Sequence, residues 1–389
     1  MTFDYRPLTP DTEDAFHNTV GRTFRFAEGY WETFKRRIGA ENLRTVHLDG
    51  RVVGGLGFYA AGQWFGGRVI PCAAVAAVGI SPEVRGGGAA EYQMRSLVEE
   101  LHSAGTPVAC LFASTQRLYR KTGFEHAGSR YSYDLPMNAI GVRDYELPVT
   151  EVPLDSPAPF EAIAEKRARL TNGHLDRTPG LWERLLQHPG GHQAGYVIGN
   201  PSDPEGFLID RYCVDHEETG HLYVRDMAAL TPSAGRRLWA LIAGHRSTIP
   251  WVHWCGPAVD PMLCLTAECK RANAQLLRWM VRIIDVAQAL EARGYPSDVS
   301  GELHLEVHDD LLPANNGRII LTVANGKATV TSGGRGDLKV GINGLAPLYT
   351  AFLPAQVLKS VGRLDGDDAT LRLADQLFAG PEPWMPEIF

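Results

Sequence analysis

Hydrophobic positions in the first third of the chain follow two periods. Residues 11–39 have helical spacing, whereas segments 44–48, 52–60 and 68–80 have the length and composition of strands. Asp49-Gly50 separates the first two strands and is a pair typical of a tight hairpin. The pattern predicts a mixed α/β domain over residues 1–137.

The second half of this domain follows a glycine-rich segment. Residues 94, 97, 98 and 101 form an apolar stripe at helical spacing, and Gly105 is a suitable end for that helix. A strand at 108–113, a short helix that carries Tyr119, and a strand at 129–135 are predicted to complete the domain.

Two further domains are predicted. Residues 138–157 lack a clear period and indicate a linker, and the region 150–285 repeats the strand–helix plan without a glycine loop. We interpret it as a duplicated domain, with chance similarity of two strand–helix units as the alternative. The region 286–389 predicts an α+β domain with an antiparallel sheet. Its expected elements are a helix at 286–293, strands at 301–307, 317–323 and 327–332, and helices at 336–353 and 354–362.

Composition excludes several classes of protein. The 389 residues carry a formal charge of −7, which argues against nucleic acid as the main partner. No segment has the length of a membrane span, and the start lacks a signal-peptide pattern. The six cysteines show no Cys-x-x-Cys pair or zinc-site spacing. We interpret them as buried, reduced thiols of a cytoplasmic protein without a metal site.

The strongest chemical signal lies between the third strand and the following helix. Arg85-Gly86-Gly87-Gly88-Ala89-Ala90 leads into a helix N-terminus, where free N–H groups and the helix dipole attract an anion. The segment fits neither a Walker loop nor a Rossmann fingerprint. It resembles the Arg/Gln-x-x-Gly-x-Gly/Ala loop that binds the pyrophosphate of coenzyme A in GCN5-related N-acetyltransferases. A flexible turn is the structural alternative.

Two aromatic residues are candidate catalytic groups. Tyr119 lies in Tyr-x-x-x-Gly-Phe after a strand, where a phenol could protonate a leaving thiolate or merely pack for shape. The chain ends in Pro-Glu-Pro-Trp-Met-Pro-Glu-Ile-Phe, which is too apolar for an ordinary frayed tail. If this tail is packed, the α-carboxylate of Phe389 becomes a fixed base; simple docking of the tail is the alternative.

The whole chain resembles the Eis (enhanced intracellular survival) acetyltransferases. The sequence segments that carry the resemblance are residues 64–71, Ala113-Ser114 with Leu118-Tyr119, residues 282–293, and the terminal segment with Trp384 and Phe389. The resemblance implies two tandem GNAT-like domains, of which only the first binds acetyl-CoA, followed by a sterol-carrier-protein-like domain. It also implies a homohexamer of two trimers, and transfer of acetyl groups to aminoglycosides, polyamines or lysine side chains.

The resemblance assigns residues of this chain. Tyr119 would be the acid and the terminal carboxylate of Phe389 the base. The implied cofactor contacts are Val78, Gly79, Ile80, Arg85, Gly86, Gly87, Gly88, Ala89, Ala90, Glu91, Ser114 and Thr115.

The chain also departs from the family pattern. Gly86 and Gly87 stand where relatives often carry arginine, which removes cations from the phosphate site. The family's substrate pocket is acidic, and Glu28 and Glu387 are candidates for it, with a solvated surface position as the alternative. Two rival functions remain: a lipid or small-apolar-ligand binding protein with an inactive transferase domain, and an acyltransferase acting on a biosynthetic intermediate.

Overall fold

The computed structural model describes residues 2–188, 190–214, 220–269 and 272–389. Within these residues, one sheet of thirteen strands and one of five strands organise the chain. No helix in this part of the chain is long and apolar enough to cross a membrane.

The N-terminal region holds five α-helices and six strands among its described residues. In chain order they are β1 (Phe3–Pro7), α1 (Pro10–Phe16), α2 (Arg22–Phe24), α3 (Tyr30–Ile38), β2 (Leu43–Leu48), β3 (Arg51–Phe65), β4 (Arg68–Ile80), α4 (Ala89–Ser103), β5 (Val108–Phe112), α5 (Gln116–Lys121) and β6 (Glu125–Pro136).

The middle region continues the same large sheet. Its elements are β7 (Val149–Val152), α6 (Ala158–Arg169), β8 (Leu175–Asp176), α7 (Pro179–Leu186), β9 (His192–Asn200), β10 (Asp203–Val214), β11 (Gly220–Ala229), α8 (Pro232–Ala243), β12 (Trp251–Gly256) and β13 (Asn273–Ile283).

The C-terminal region forms the second sheet and its covering helices. Its elements are α9 (Val286–Ala292), β14 (Gly301–His308), β15 (Gly317–Ala324), β16 (Lys327–Ser332), β17 (Leu338–Gly341), α10 (Ile342–Tyr349), α11 (Ala355–Ser360), β18 (Leu364–Asp365) and α12 (Asp368–Leu377).

The first two regions exchange strands. Their sheet runs β1-β2-β3-β4-β5-β13-β6-β12-β11-β10-β9-β7, with β8 as a thirteenth strand paired to β3, so β13 lies between β5 and β6. The long strand β6 pairs with β13 along one part and with β12 along another. The two α/β units therefore share one continuous sheet.

Several sequence predictions need correction. The segment 11–39 is broken between α2 and α3, because Arg25 and Gly29 adopt positive φ. The apolar stretch around Trp279 and Met280, which has helical spacing in the sequence, forms strand β13. A strand covered on both faces carries apolar residues at consecutive positions, which also satisfy helical spacing.

The remaining differences concern three other segments. Strand β7 lies inside the predicted linker, 138–157. Residues 338–341 form a strand paired with β14, because Leu338 and Val340 point into the core at a spacing of two. Cys264 and Cys269 are exposed rather than buried, while all six cysteines are free.

A buried ion pair joins the large sheet to the C-terminal region. The Arg282 guanidinium on β13 and the carboxylate of Asp309 are fully buried, with two N···O distances of 2.7 and 2.8 Å. Asp309 also accepts hydrogen bonds from the backbone N–H groups of Leu311 and Leu312. Burial lowers the pKa of Arg282, and Asp309 opposes that shift.

We expect Asp309→Ala to lower the free energy of unfolding by about 3–5 kcal/mol, because it leaves a buried guanidinium without its counter-ion. Urea unfolding followed by tryptophan fluorescence measures the change. Asp310→Ala is the matched control, since the neighbouring side chain is 94% exposed. Equal effects of the two substitutions would contradict this role.

Candidate active site

Strands β4 and β5 separate and leave a wedge-shaped opening in the sheet. They pair in parallel only from Cys72 with Val108 to Val75 with Leu111. Beyond Val75, β4 continues to Ile80 without β5 beside it. Backbone groups on that side of β4 therefore lack a strand partner and are free to bind an extended ligand.

A β-bulge in β4 sets the direction of these free backbone groups. Gly55 lies opposite Gly79 and Gly57 lies opposite Ala76, so two residues of β4, Ala77 and Val78, face one residue of β3. Ala77 has φ of 54°. The bulge bends the strand at Val78, Gly79 and Ile80, the three residues predicted to contact the thioester.

The glycine loop leads from β4 to an open helix N-terminus. Gly86 and Gly88 have φ of 80° and 91°, and Gly88 is the N-cap of α4 without any side-chain cap. The first intrahelical bond runs from the Tyr92 N–H to the Gly88 carbonyl. The N–H groups of Ala89, Ala90 and Glu91 therefore remain for a ligand.

This loop suits a pyrophosphate. No heavy atom lies within 4 Å of a Cβ placed on Gly86, so the space beside the loop is open. The Arg85 Nε donates to the Ile80 carbonyl at 3.1 Å and ties the loop to the end of β4. The Glu91 carboxylate forms an ion pair with the Lys121 Nζ at 2.7 Å. Consecutive N–H groups at a helix N-terminus bind phosphate without any lysine or arginine.

Tyr119 lies on the opposite side of this opening, in the short helix after β5. Its ring packs edge-on against Phe124 at 6.1 Å and belongs to the apolar cluster that Val78 also joins. Burial raises the pKa of Tyr119 to about 12. Ser114 and Thr115 connect β5 to this helix and are exposed at the mouth of the opening.

The Tyr-x-x-x-Gly-Phe motif is a helix C-cap. The N–H of Phe124 donates to the Tyr119 carbonyl and that of Gly123 donates to the Arg120 carbonyl, as in a Schellman turn. Gly123 has φ of 86°, and a Cβ there would lie 2.6 Å from the Arg282 Nε. The glycine is thus required by both conformation and packing, and it fixes the helix that holds Tyr119.

The C-terminal segment is packed along its length. Trp384 forms an isolated parallel β-bridge with Ser129 on β6. The backbone N–H of Trp384 donates to the Asn172 carbonyl at 2.9 Å. The Arg130 Nε donates to the carbonyl of Pro386 at 3.2 Å. The Phe389 ring, half-buried, lies 5.6 Å from that of Phe112. Because Phe112 ends β5, the last residue of the chain lies at the mouth of the opening.

Glu387 is a structural anchor and not a solvated carboxylate. Its Oε1 accepts from the Arg177 Nε at 2.6 Å, and its side chain is 10% exposed. Arg177 also pairs with Asp226, which Arg167 holds from the other side. Glu28, the other acidic candidate, is exposed in an adjoining depression that shares Tyr30 and Arg37 with the pocket that extends to Ile388.

Two pockets border Glu387: one also carries Glu161, Glu165 and Asp176, whereas the one that extends to Ile388 is basic instead of acidic. It has a volume of about 360 Å³ and is bordered by Tyr30, Glu387 and Ile388. Five arginines line it, and we call it the arginine pocket: Arg37, Arg130, Arg177, Arg184 and Arg225. Sequence reasoning missed this set, because its members are scattered over nearly two hundred positions and only the fold brings them together.

In the second α/β unit, the helix that corresponds to α4 is α8, and its N-terminus is capped by a side chain. Thr231 caps α8 by accepting from the Ala234 N–H at 3.1 Å, and Pro232 supplies no N–H. The Thr231 hydroxyl donates to the Glu205 carboxylate at 2.6 Å. A side-chain oxygen and an acid thus occupy the position where the first unit leaves amides free.

Comparison with known proteins agrees with this geometry. Acetyltransferase (GNAT) domain families match residues 4–127 and 173–283, and the sterol carrier protein domain family matches residues 286–386. A crystal structure of a GCN5-related N-acetyltransferase from Anabaena variabilis is 38% identical, with a TM-score of 0.97 over 100% of both chains.

Two further relatives carry the Eis name. N-acetyltransferase Eis of Mycobacterium tuberculosis is 28% identical over 381 residues, covering 91% of this chain and 90% of the relative. The structure of Eis1 from Mycobacterium abscessus, at 23% identity and a TM-score of 0.82 over 100% of both chains, has the same fold. The chain belongs to the GCN5-related N-acetyltransferases, and its similarity to N-acetyltransferase Eis extends over 91% of its length. It is an acetyltransferase, and its co-substrate is acetyl-CoA.

Proposed function

We propose that this enzyme transfers the acetyl group of acetyl-CoA directly to a primary amine, with Tyr119 as the acid and the terminal carboxylate of Phe389 as the base. The observation that carries the proposal is the packed tail, which ends against Phe112 where β4 and β5 separate. Aminoglycosides, polyamines and lysine side chains are the acceptor classes that the resemblance implies.

Each group has a defined task in this proposal. Acetyl-CoA supplies a thioester carbonyl that the amine attacks and a sulfur that leaves. Free amides of the bulge at Val78–Ile80 hold that carbonyl and stabilise its developing negative charge. The amine gives its proton to the carboxylate of Phe389, and the Tyr119 phenol gives its proton to the sulfur. One C–N bond forms and one C–S bond breaks, with no covalent enzyme intermediate.

The cysteines give no support to an alternative covalent route. Cys110 is fully buried, and burial raises the pKa of its thiol well above the usual value. The thiolate is the nucleophilic form, so a buried thiol of this kind is inert.

The pH dependence of kcat/KM is the first test. Because the pKa of Tyr119 is raised to about 12, the phenol keeps its proton throughout the neutral and mildly alkaline range. We expect kcat/KM to rise as the acceptor amine loses its proton and to show no descending limb up to about pH 10. Free-thiol release with an amine panel measures this. A fall in kcat/KM between pH 8 and pH 10 that Tyr119→Phe abolishes would contradict the raised pKa of Tyr119, because it would show that the phenol loses its proton in that range.

Lipid binding receives less support. The groove of about 830 Å³ on the C-terminal region is lined mainly by polar and charged side chains, among them Glu306, Arg318 and Lys339. Such a lining does not match an apolar ligand. Thermal shift with acetyl-CoA and with fatty acids separates the two functions, and we expect stabilisation by acetyl-CoA.

The capped N-terminus of α8 supports the proposal that only the first α/β unit binds acetyl-CoA. The domain limits 1–137, 150–285 and 286–389, a cytoplasmic location and a hexamer made of two trimers are proposals that rest on the sequence and its resemblance.

A further inference from the structure

The arginine pocket borders the proposed base. Its lining includes Pro386, Glu387 and Ile388, the three residues that precede Phe389. The Phe389 ring also meets the Tyr59 ring, at 6.5 Å. Burial raises the pKa of Tyr59, and the nearby guanidinium groups of Arg184 and Arg37 oppose that rise. Two pocket arginines therefore lie close to a side chain that touches the last residue.

The positive charge of this pocket is only partly neutralised. Arg37 pairs with Glu183, and Arg177 pairs with Asp226 and Glu387. These carboxylates are shared, because Glu183 also holds Arg36 and Asp226 also holds Arg167.

The other three arginines lack such partners. Among the residues that the structure describes, no carboxylate lies within 4 Å of the guanidinium groups of Arg130, Arg184 or Arg225. Arg130 donates hydrogen bonds to the Pro386 carbonyl and the Ser132 hydroxyl. The α-carboxylate of Phe389 can offset one of these charges at most.

Arg225 is the pocket arginine with the strongest concentration of positive charge around it. Its Nη2 donates to the Arg184 carbonyl at 3.4 Å, and its buried Nε has no hydrogen-bond partner among the described residues. Burial, together with the positive charges of Arg211, Arg184 and Arg130, lowers the pKa of Arg225 to about 10. A partly buried cation among other cations is costly unless an anion joins it.

We propose that the arginine pocket holds the acidic group of the acceptor, so that the preferred substrate is an amine that also carries a carboxylate or a phosphate. This inference rests on the proposed function, but it replaces the polycationic acceptors that the resemblance implies with amines that carry an acidic group. Guanidinium groups bind carboxylates and phosphates through paired hydrogen bonds. A ligand that accepts hydrogen bonds from unpaired buried donors is therefore bound more tightly. A polycation such as an aminoglycoside would instead place like charges together. The acyl transfer itself and its proton movements are unchanged.

Matched pairs of amines test the class. 4-Aminobutyrate carries a carboxylate where 1,4-diaminobutane carries an aminomethyl group, and glucosamine 6-phosphate differs from glucosamine by its phosphate. We expect kcat/KM to be about 10- to 100-fold higher for the acidic member of at least one pair, as hydrogen bonds to charged groups provide. Which pair shows the preference distinguishes a carboxylate from a phosphate.

Two substitutions connect the preference to the pocket. Arg225→Gln and Arg184→Gln should each raise the KM for the preferred acidic amine about 10-fold or more, without changing the KM for acetyl-CoA. Arg236→Gln is the control, because this α8 arginine pairs with Asp144 and does not line the pocket. If Arg225→Gln does not fold, Arg184→Gln carries the test alone.

The outcomes separate the two proposals. If 1,4-diaminobutane, glucosamine and kanamycin are each preferred over the acidic amines, the inference is overturned while the transferase function stands. If acetyl-CoA binds in calorimetry but no amine is acetylated, the proposed function fails and the inference falls with it. Unchanged acceptor KM in both arginine variants would also overturn the inference.

Discussion

A chain extended by one glycine after Phe389 is expected to lose about 10²- to 10⁴-fold in kcat, the range that a positioned general base supplies. The added residue moves the carboxylate away from the place where the Phe389 ring meets those of Phe112 and Tyr59. The anchors further back, Trp384 and Glu387, remain, so the tail should stay docked. Single-turnover acetylation with the best acceptor measures the effect.

The control for this extension is Phe389→Leu, which keeps an apolar side chain and the carboxylate at the same position. We expect it to retain most of the activity. Calorimetry of acetyl-CoA binding shows whether the donor site is intact in both proteins. Full activity of the extended chain would rule out the terminal carboxylate as base, and equal losses in both variants would show that the tail acts only through packing.

Tyr119→Phe is expected to lower kcat by about 10²- to 10⁴-fold, because it removes the only proton of this side chain that can reach the leaving sulfur. The ring, its contact with Phe124 and the C-cap around Gly123 stay in place. The dissociation constant of acetyl-CoA should therefore not change. Steady-state kinetics and calorimetry on the same preparation separate the two quantities.

Tyr92→Phe is the matched control for this loss. Tyr92 lies on α4 beside the glycine loop, and its ring stacks on Phe3 at 5.4 Å. It should keep wild-type kcat. If Tyr119→Phe also keeps wild-type kcat, the phenol serves for shape alone; if it weakens acetyl-CoA binding with kcat intact, it is a binding residue.

The parts of the site that the sequence could predict are local. A strand, a glycine loop and a helix N-terminus follow one another along residues 68–103, and the structure has them in that order. The Tyr119 motif is equally local, since its glycine and phenylalanine form the C-cap of the helix that carries the tyrosine. Such features depend on neighbouring residues, so pattern and propensity are sufficient.

The parts that could not be predicted depend on distant pairing. The position of β13 between β5 and β6 is set by a sheet that two α/β units share, and its buried sequence imitates helical spacing. Arg130, Arg184 and Arg225 meet only after β6, α7 and β11 are assembled. The ion pair between Glu387 and Arg177 could not be predicted, because the two residues are far apart in the sequence and only the fold brings them together.

A crystal structure of the enzyme with bound acetyl-CoA tests the central claim most directly. The account expects the pyrophosphate on the N–H groups of residues 86–91, the thioester beside Val78–Ile80, and the Tyr119 hydroxyl within hydrogen-bonding distance of the sulfur. A cofactor bound elsewhere in crystals that leave this opening accessible, or a phenol directed away from the sulfur, would contradict it.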